Sequence, residues 1–183
     1  MIFFAKGKRG RVYLEKDKAI KQTNEKRARK EANYLKLFNK YKIGPKFLYL
    51  RKDKFAYKFV KGPFILEYIK KNKDVKKILI DVLKQCRTLD KLKINKLEMH
   101  NPYKHIIINN KEPIMIDFER CYSTEKPKNV TQFGQYLMSA KVSEVLFQKN
   151  IKINKKELIK FLKVYKRNQT DKNFKKIIDY VSQ

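Results

Sequence analysis

Apolar residues open the chain in short β-like pieces, Ile2 to Ala5, Arg11 to Leu14 and Ala19 to Gln22. Gly7-Lys8-Arg9-Gly10 separates the first two, and Lys16-Asp17 turns the second into the third. The spacing then changes. Ala28, Ala32, Leu35 and Phe38 recur every three or four positions, which predicts a helix from about Asn24 to Tyr41, stopped by Gly44-Pro45. Phe47 to Leu50 and Phe55 to Val60 return to strand patterning around Arg51-Lys52-Asp53-Lys54. Five short strands with one helix after the third predict a small antiparallel α+β unit. Lys61-Gly62-Pro63 marks its end.

Beyond that break the pattern is mainly helical. Val75, Ile78, Leu79, Val82, Leu83, Cys86 and Leu89 trace an amphipathic helix from about Asp74 to Leu92. Val130, Phe133, Leu137 and Phe147 predict one or two helices between about Asn129 and Lys149. Leu158, Phe161, Leu162 and Tyr165 predict another, capped by Asn154, and Phe174, Ile177, Ile178 and Val181 the last. The exception lies between the first and second of these. Two apolar runs, Ile106 to Ile108 and Pro113 to Ile116, flank the turn Asn109 to Glu112 and predict a β-hairpin. Such a hairpin delivers the polar loop before it and Asp117 after it to the same edge. There is no internal repeat and no low-complexity linker.

Composition narrows the classes. A chain of 183 residues holds one domain or two small units sharing an interface. Hydrophobic residues at 42% and aromatics at 13% supply a core, which argues against a disordered chain despite 36% charged residues. The net charge of +29 attracts phosphate-bearing partners, from nucleotides to RNA or the ribosome. Lysines are nonetheless scattered through the chain rather than gathered in a stripe, and the richness in Lys, Ile and Asn fits a compositional bias equally well. Cys86 and Cys121 have no disulfide or metal spacing and read as reduced thiols. No apolar run approaches the roughly 18 residues that span a bilayer. Met-Ile-Phe-Phe-Ala is too short for a signal-peptide core, so a cytoplasmic protein without membrane contact is expected.

Candidate chemistry gathers in a few places. Both histidines, His100 and His105, fall in the loop before the hairpin. Gly7 and Gly10 either make a simple turn or let backbone N–H groups approach a phosphate closely. Lys21 closes an apolar strand after that turn and before the helix. Glu31 sits at the edge of the helix's apolar face among Arg27, Arg29 and Lys30, where it either pairs with those bases or serves a special role.

The order of glycine hairpin, strand with Lys, helix with Glu, two strands, breaker, long helix, polar loop, β-hairpin and Asp-Phe resembles the protein-kinase superfamily. More closely it is similar to the minimal atypical kinases of archaea related to the RIO and KEOPS-complex kinases. The likeness covers roughly residues 1 to 120. It implies a protein kinase-like α+β fold, with an N-lobe over 1–61 and a reduced, mainly helical C-lobe over 62–183. It implies an ATP-dependent phosphotransferase, an atypical serine/threonine protein kinase that moves the γ-phosphate of Mg-ATP to a hydroxyl.

Roles follow from the same resemblance. Gly7, Gly10 and Val12, in Gly-Lys-Arg-Gly-Arg-Val, match the phosphate-covering loop. Lys21, in Ala-Ile-Lys, matches the lysine on the α- and β-phosphates, and Glu31 the helix acid that orients it. Phe59 and Val60 fall in the hinge under adenine, and Asp117, in Ile-Asp-Phe-Glu, matches the Mg²⁺-binding acid. Glu119 replaces the glycine usual in that motif, which implies a loop that does not flip. The catalytic loop departs most. In one alignment His105 stands at the metal-binding Asn position and His100 at the catalytic base. In the other, Glu98-Met99-His100 is read against Asp-Leu-His, which supplies a carboxylate for the acceptor hydroxyl and is preferred. Lys104 either stabilises charge on the γ-phosphate or faces outward, and His105 either ligates metal, bridges the loop or contacts a phosphate. The loss of the usual Asp and Asn keeps open a pseudokinase adapter that retains its nucleotide pocket. An RNA- or ribosome-associated protein and a small-metabolite kinase are the further alternatives.

Overall fold

Strands β1 (Ile2–Lys6), β2 (Arg11–Glu15), β3 (Lys18–Gln22), β4 (Phe47–Arg51) and β5 (Lys54–Lys58) form one antiparallel sheet in the order β1-β2-β3-β5-β4. The computed structural model describes residues 1–183. Strand β5 ends two residues earlier than its apolar run suggests, and Phe59 and Val60 continue as extended chain. Helix α1 (Glu25–Asn39) begins at Asn24, whose side chain accepts from the Arg27 N–H at 2.9 Å. Its spacing of three and four puts Ala28, Ala32, Leu35 and Phe38 on one buried face. The chain leaves the helix through Gly44 at φ +80°, where a Cβ would meet Leu35 and Phe118, so only glycine fits without strain.

Six further helices follow: α2 (Ile65–Lys71), α3 (Lys76–Lys91), α4 (Asn129–Leu137), α5 (Ala140–Phe147), α6 (Lys155–Arg167) and α7 (Asp171–Ser182). Helix α2 escapes periodicity because seven residues are too few to show a period. Its start is visible only in the Glu67 carboxylate, which accepts from the Phe64 N–H at 3.3 Å. The architecture is therefore α+β, with a five-stranded antiparallel sheet and seven helices. One continuous core of 36 buried residues runs from Ala28 and Phe38 through Leu79 and Phe118 to Val181, so the sheet unit and the helical part are welded rather than tethered.

A buried polar network fastens the helices. The Asp90 carboxylate of α3 accepts from Asn129 N at 3.0 Å, Asn129 Nδ2 at 2.7 Å, Val130 N at 3.3 Å and Tyr165 Oη at 2.9 Å. It thereby caps the first amides of α4 from outside that helix. Burial pushes the Asp90 carboxyl up, opposed by those donors. Arg87 extends the network to Tyr165 Oη at 3.0 Å and the Gln169 carbonyl at 2.7 Å.

Between α3 and α4 lie the elements that present the polar loop. Strand β6 (Ile94–Lys96) pairs antiparallel with β9 (Cys121–Ser123), and a short 3₁₀ helix spans Leu97–His100. Strands β7 (Ile106–Asn109) and β8 (Glu112–Met115) form the expected hairpin. Asn110 and Lys111 turn it with φ of 49° and 61°, the two left-handed residues of a tight hairpin turn. The Lys61-Gly62-Pro63 breaker lies against it, with Ile108 N donating to the Pro63 carbonyl at 2.9 Å. Both cysteines are free and buried, and no helix is long and apolar enough to cross a membrane.

Candidate active site

A cavity of about 640 Å³ opens between the sheet and the β7–β8 hairpin. On the sheet side it is roofed by the turn joining β1 and β2, closed by the Gly7 N–H donating to the Gly10 carbonyl at 2.9 Å. Gly10 answers to backbone packing: a Cβ there would stand 2.7 Å from the Gln22 carbonyl oxygen. Val12, Ala19, Phe59 and Val60 give the inner wall an apolar surface. Tyr57 lies beside them, and burial pushes its hydroxyl up to about 12.

Lys21 projects from β3 into the cavity and meets acids from two distant segments. Its Nζ lies 2.7 Å from Glu31 Oε2 on α1, 3.0 Å from Asp117 Oδ1 and 3.9 Å from Glu119 Oε2. Glu31 does not pair with its helical neighbours, because Arg29 goes to Glu25 at 3.1 Å and Arg27 to Glu119 at 3.7 Å. Its other oxygen accepts from the Phe118 N–H at 3.2 Å, which ties α1 to the segment after the hairpin. Burial alone would lower the Lys21 ammonium, yet the Glu31 and Asp117 carboxylates overcome it and hold its pKa above the usual lysine range. For Glu31 burial dominates and pushes the carboxyl up, with Lys21 pulling against it.

Asp117 stands two residues past β8 with φ at 62°, a left-handed backbone that non-glycine residues rarely adopt. Burial would raise its carboxyl, but the charges of Lys21 and Lys96 hold it below the ordinary carboxylate value. Its Oδ2 lies 3.7 Å from His105 Nδ1. Burial and the Lys96 charge push the His105 imidazole below its ordinary value, with Asp117 opposing, which favours the neutral ring near pH 7. Its buried Nδ1 has no hydrogen-bond partner.

The preferred alignment of the polar loop places Glu98 and His100 very differently. Glu98 lines the cavity, with Oε2 at 3.2 Å from Lys96 Nζ and Oε1 at 3.6 Å from Arg120 Nε. His100 points to solvent, its Nδ1 held 2.7 Å from the Leu97 carbonyl of its own 3₁₀ turn. The turn that buries Glu98 leaves His100 exposed and outside the cavity lining, so the structure does not bring His100, considered for the base role, together with the other site residues. Lys104 and His105 both line the cavity.

Three features of the site escape the sequence reading. Lys96 is fully buried and donates to Glu98 and to the Asp117 carbonyl, but one lysine among 47 Lys and Arg residues carries no pattern. Glu119 completes a cluster in which one carboxylate oxygen each from Glu31, Asp117 and Glu119 lies within 4.8 Å of the others. Arg9 reaches from the glycine turn to Glu119 at 3.2 Å, a contact across 110 residues.

These donors suit a hard divalent cation such as Mg²⁺, which takes oxygen ligands. Asp117 and Glu119 are the acids available for it, since each keeps one oxygen (Oδ2 and Oε2) without a hydrogen bond while both oxygens of Glu31 lie within 3.0 Å of Lys21 Nζ, and the His105 nitrogen is the softer, less suitable donor. No protein-family model matches the chain, and a search of curated proteins finds no match either.

Proposed function

We propose that this chain is an ATP-dependent phosphotransferase of protein kinase-like fold, an atypical kinase that passes the γ-phosphate of Mg-ATP to a hydroxyl. In this reading 1–61 is the nucleotide-covering lobe and 62–183 the reduced helical lobe. The observation that carries it is the Lys21 ammonium, held between Glu31 at 2.7 Å and Asp117 at 3.0 Å, 96 residues away in sequence. A cavity of 640 Å³ falls within the range of about 300–1,000 Å³ typical of small-ligand sites. Val12, Phe59 and Val60 offer an apolar surface that would take adenine, and the Gly7–Gly10 turn and Lys21 line the same cavity, where the phosphates would lie. Mg²⁺ at Asp117 and Glu119 would supply charge neutralisation of the triphosphate. Glu98 orients the acceptor hydroxyl and takes its proton as the new oxygen–phosphorus bond forms and ADP leaves. Lys104, on the same wall, offsets charge on the transferring group.

One observation favours a second reading, a nucleotide-binding adapter without turnover. Glu98 is almost wholly buried between Lys96 and Arg120, which leaves little room for an acceptor hydroxyl to reach it. Calorimetric binding of Mg-ATP and release or transfer of the γ-phosphate, in the parent and in Asp117→Ala, separate the two. The kinase reading expects binding and turnover in the parent, with turnover abolished by D117A. Binding with no movement of γ-phosphate makes the protein an adapter. No nucleotide binding to the parent overturns both.

A further inference from the structure

Lys96 is the buried charge for which the proposed chemistry has no use. It ends β6, its side chain is wholly inaccessible, and its ammonium faces the ring of Phe118 at 5.0 Å. An ammonium in such surroundings is unfavourable unless each proton finds an acceptor. Its acceptors are Glu98 Oε2 at 3.2 Å and the Asp117 carbonyl. They belong to two different segments, the 3₁₀ turn before the hairpin and the link after it. These segments bring Glu98, the proposed base, and Asp117, one of the proposed Mg²⁺ ligands.

We propose that Lys96 is a positioning residue that sets two acids of the site, Asp117 through its backbone and Glu98 through its carboxylate. The inference rests on the phosphotransferase reading. Asp117 holds φ at 62°, a conformation that costs a non-glycine residue energy and persists only where the surroundings impose it. The Lys96 hydrogen bond to its carbonyl is such an imposition. In this backbone the carbonyl turns inward to Lys96 while the carboxylate turns outward to Lys21 at 3.0 Å. Asp117 is thus held from its two ends by two lysines, and loss of the inner one lets the peptide relax and swings the carboxylate off Lys21. On the other side, occupation of Glu98 Oε2 by Lys96 leaves Oε1 as the oxygen free to meet an acceptor hydroxyl, with Arg120 Nε at 3.6 Å beside it. The pairing of Lys96 with Cys121 in the β6–β9 ribbon fixes the lysine's own backbone, so the reference point is rigid.

A purely structural role, in which Lys96 only neutralises Glu98, predicts something different, and the variant Lys96→Met with the double variant K96M/E98Q separates the two. The double variant removes the unpaired buried carboxylate, which keeps the test usable if K96M alone fails to fold. The proposal expects the Mg²⁺ concentration for half-saturation of nucleotide binding to rise about tenfold or more in K96M and to stay raised in K96M/E98Q. It expects Lys96→Arg, which keeps a donor for the Asp117 carbonyl, to recover part of the loss. A double variant with the Mg²⁺ response of the parent overturns it. Crystal structures of the parent and K96M/E98Q without nucleotide read the geometry directly. Parting of the Asp117 carboxylate from Lys21 is expected, and a retained contact at the parent distance overturns the proposal. This second measurement stands even if the parent binds no nucleotide, in which case the kinase reading fails on its own.

Discussion

Replacing Lys21 by methionine removes an ammonium that is 13% exposed from a carboxylate that is 4% exposed. Methionine keeps the length and apolar stem, so the change is chiefly one of charge. Glu31 would be left with the Phe118 N–H at 3.2 Å as its remaining donor, facing Asp117 and Glu119 in a cluster of like charge. Removing one partner of a buried ion pair costs about 3–5 kcal/mol, because the survivor stays desolvated and unpaired. The contact to Asp117 adds little, about 0–1 kcal/mol, since that carboxylate is 39% exposed and screened by water. A loss of about 4 kcal/mol lowers the melting temperature of a chain this size by roughly 8–16 °C. The loss depends on pH. Without Lys21, burial raises the folded-state pKa of Glu31 above its unfolded value near 4.5, so a proton is taken up on folding. The deficit is therefore absent below the unfolded pKa and grows as pH rises through the folded one. Urea unfolding of K21M and K21M/E31Q at pH 5 and pH 8 measures it, and the double variant should recover at least half of the deficit at pH 8. A deficit under about 1 kcal/mol at pH 8, or one equal at both pH values, would refute the assignment of Lys21 and Glu31 as a buried pair.

Gly62→Ala tests the seat of the hairpin. The residue has φ of 152° and a Cβ would fall 2.0 Å from the Ile108 carbonyl oxygen, so the denaturation midpoint should drop by the equivalent of more than about 1 kcal/mol, and an unchanged midpoint contradicts that contact. Burial pushes the Cys121 thiol up to about 12 and Cys86 well above its ordinary value. Neither thiol should react with a disulfide reagent at pH 8 in the folded protein, and both should react in guanidinium. Labelling of either in the folded state would place it at the surface.

The parts of this structure that were legible in the sequence are those in which local pattern and tertiary place agree. Ala28, Ala32, Leu35 and Phe38 announce α1 because one face must be apolar, and Asn109 to Glu112 announces a hairpin because the flanking runs are strand-like. Lys21, Glu31 and Asp117 could be singled out only by their order along the chain, since nothing in composition distinguishes one lysine here from another. What could not be read depends on contacts between distant segments. The β6–β9 ribbon pairs three residues with three others across the hairpin, too short a run to leave a period. The opposite fates of Glu98 and His100 come from a single 3₁₀ turn that buries one and exposes the other. Lys96 is buried by that same arrangement, and its type would have argued for the surface.

In a chain with 47 Lys and Arg residues against 18 Asp and Glu, a basic group near any cavity is unremarkable, whereas carboxylates are scarce. Four of them, Glu31, Glu98, Asp117 and Glu119, nonetheless line one cavity, where burial penalises the charges of Glu31 and Asp117. Compositional bias explains lysines on a surface and offers no reason for acids to converge. The acids share that cavity with Lys6, Lys8, Arg9, Lys21, Lys104 and Arg120. In the proposed reading the phosphates would meet these cations, and a divalent cation carried on them would meet the acids. The proposed phosphotransferase reading draws on both signs of charge meeting in one cavity, and leaves the overall charge of +29 to act on what approaches from outside.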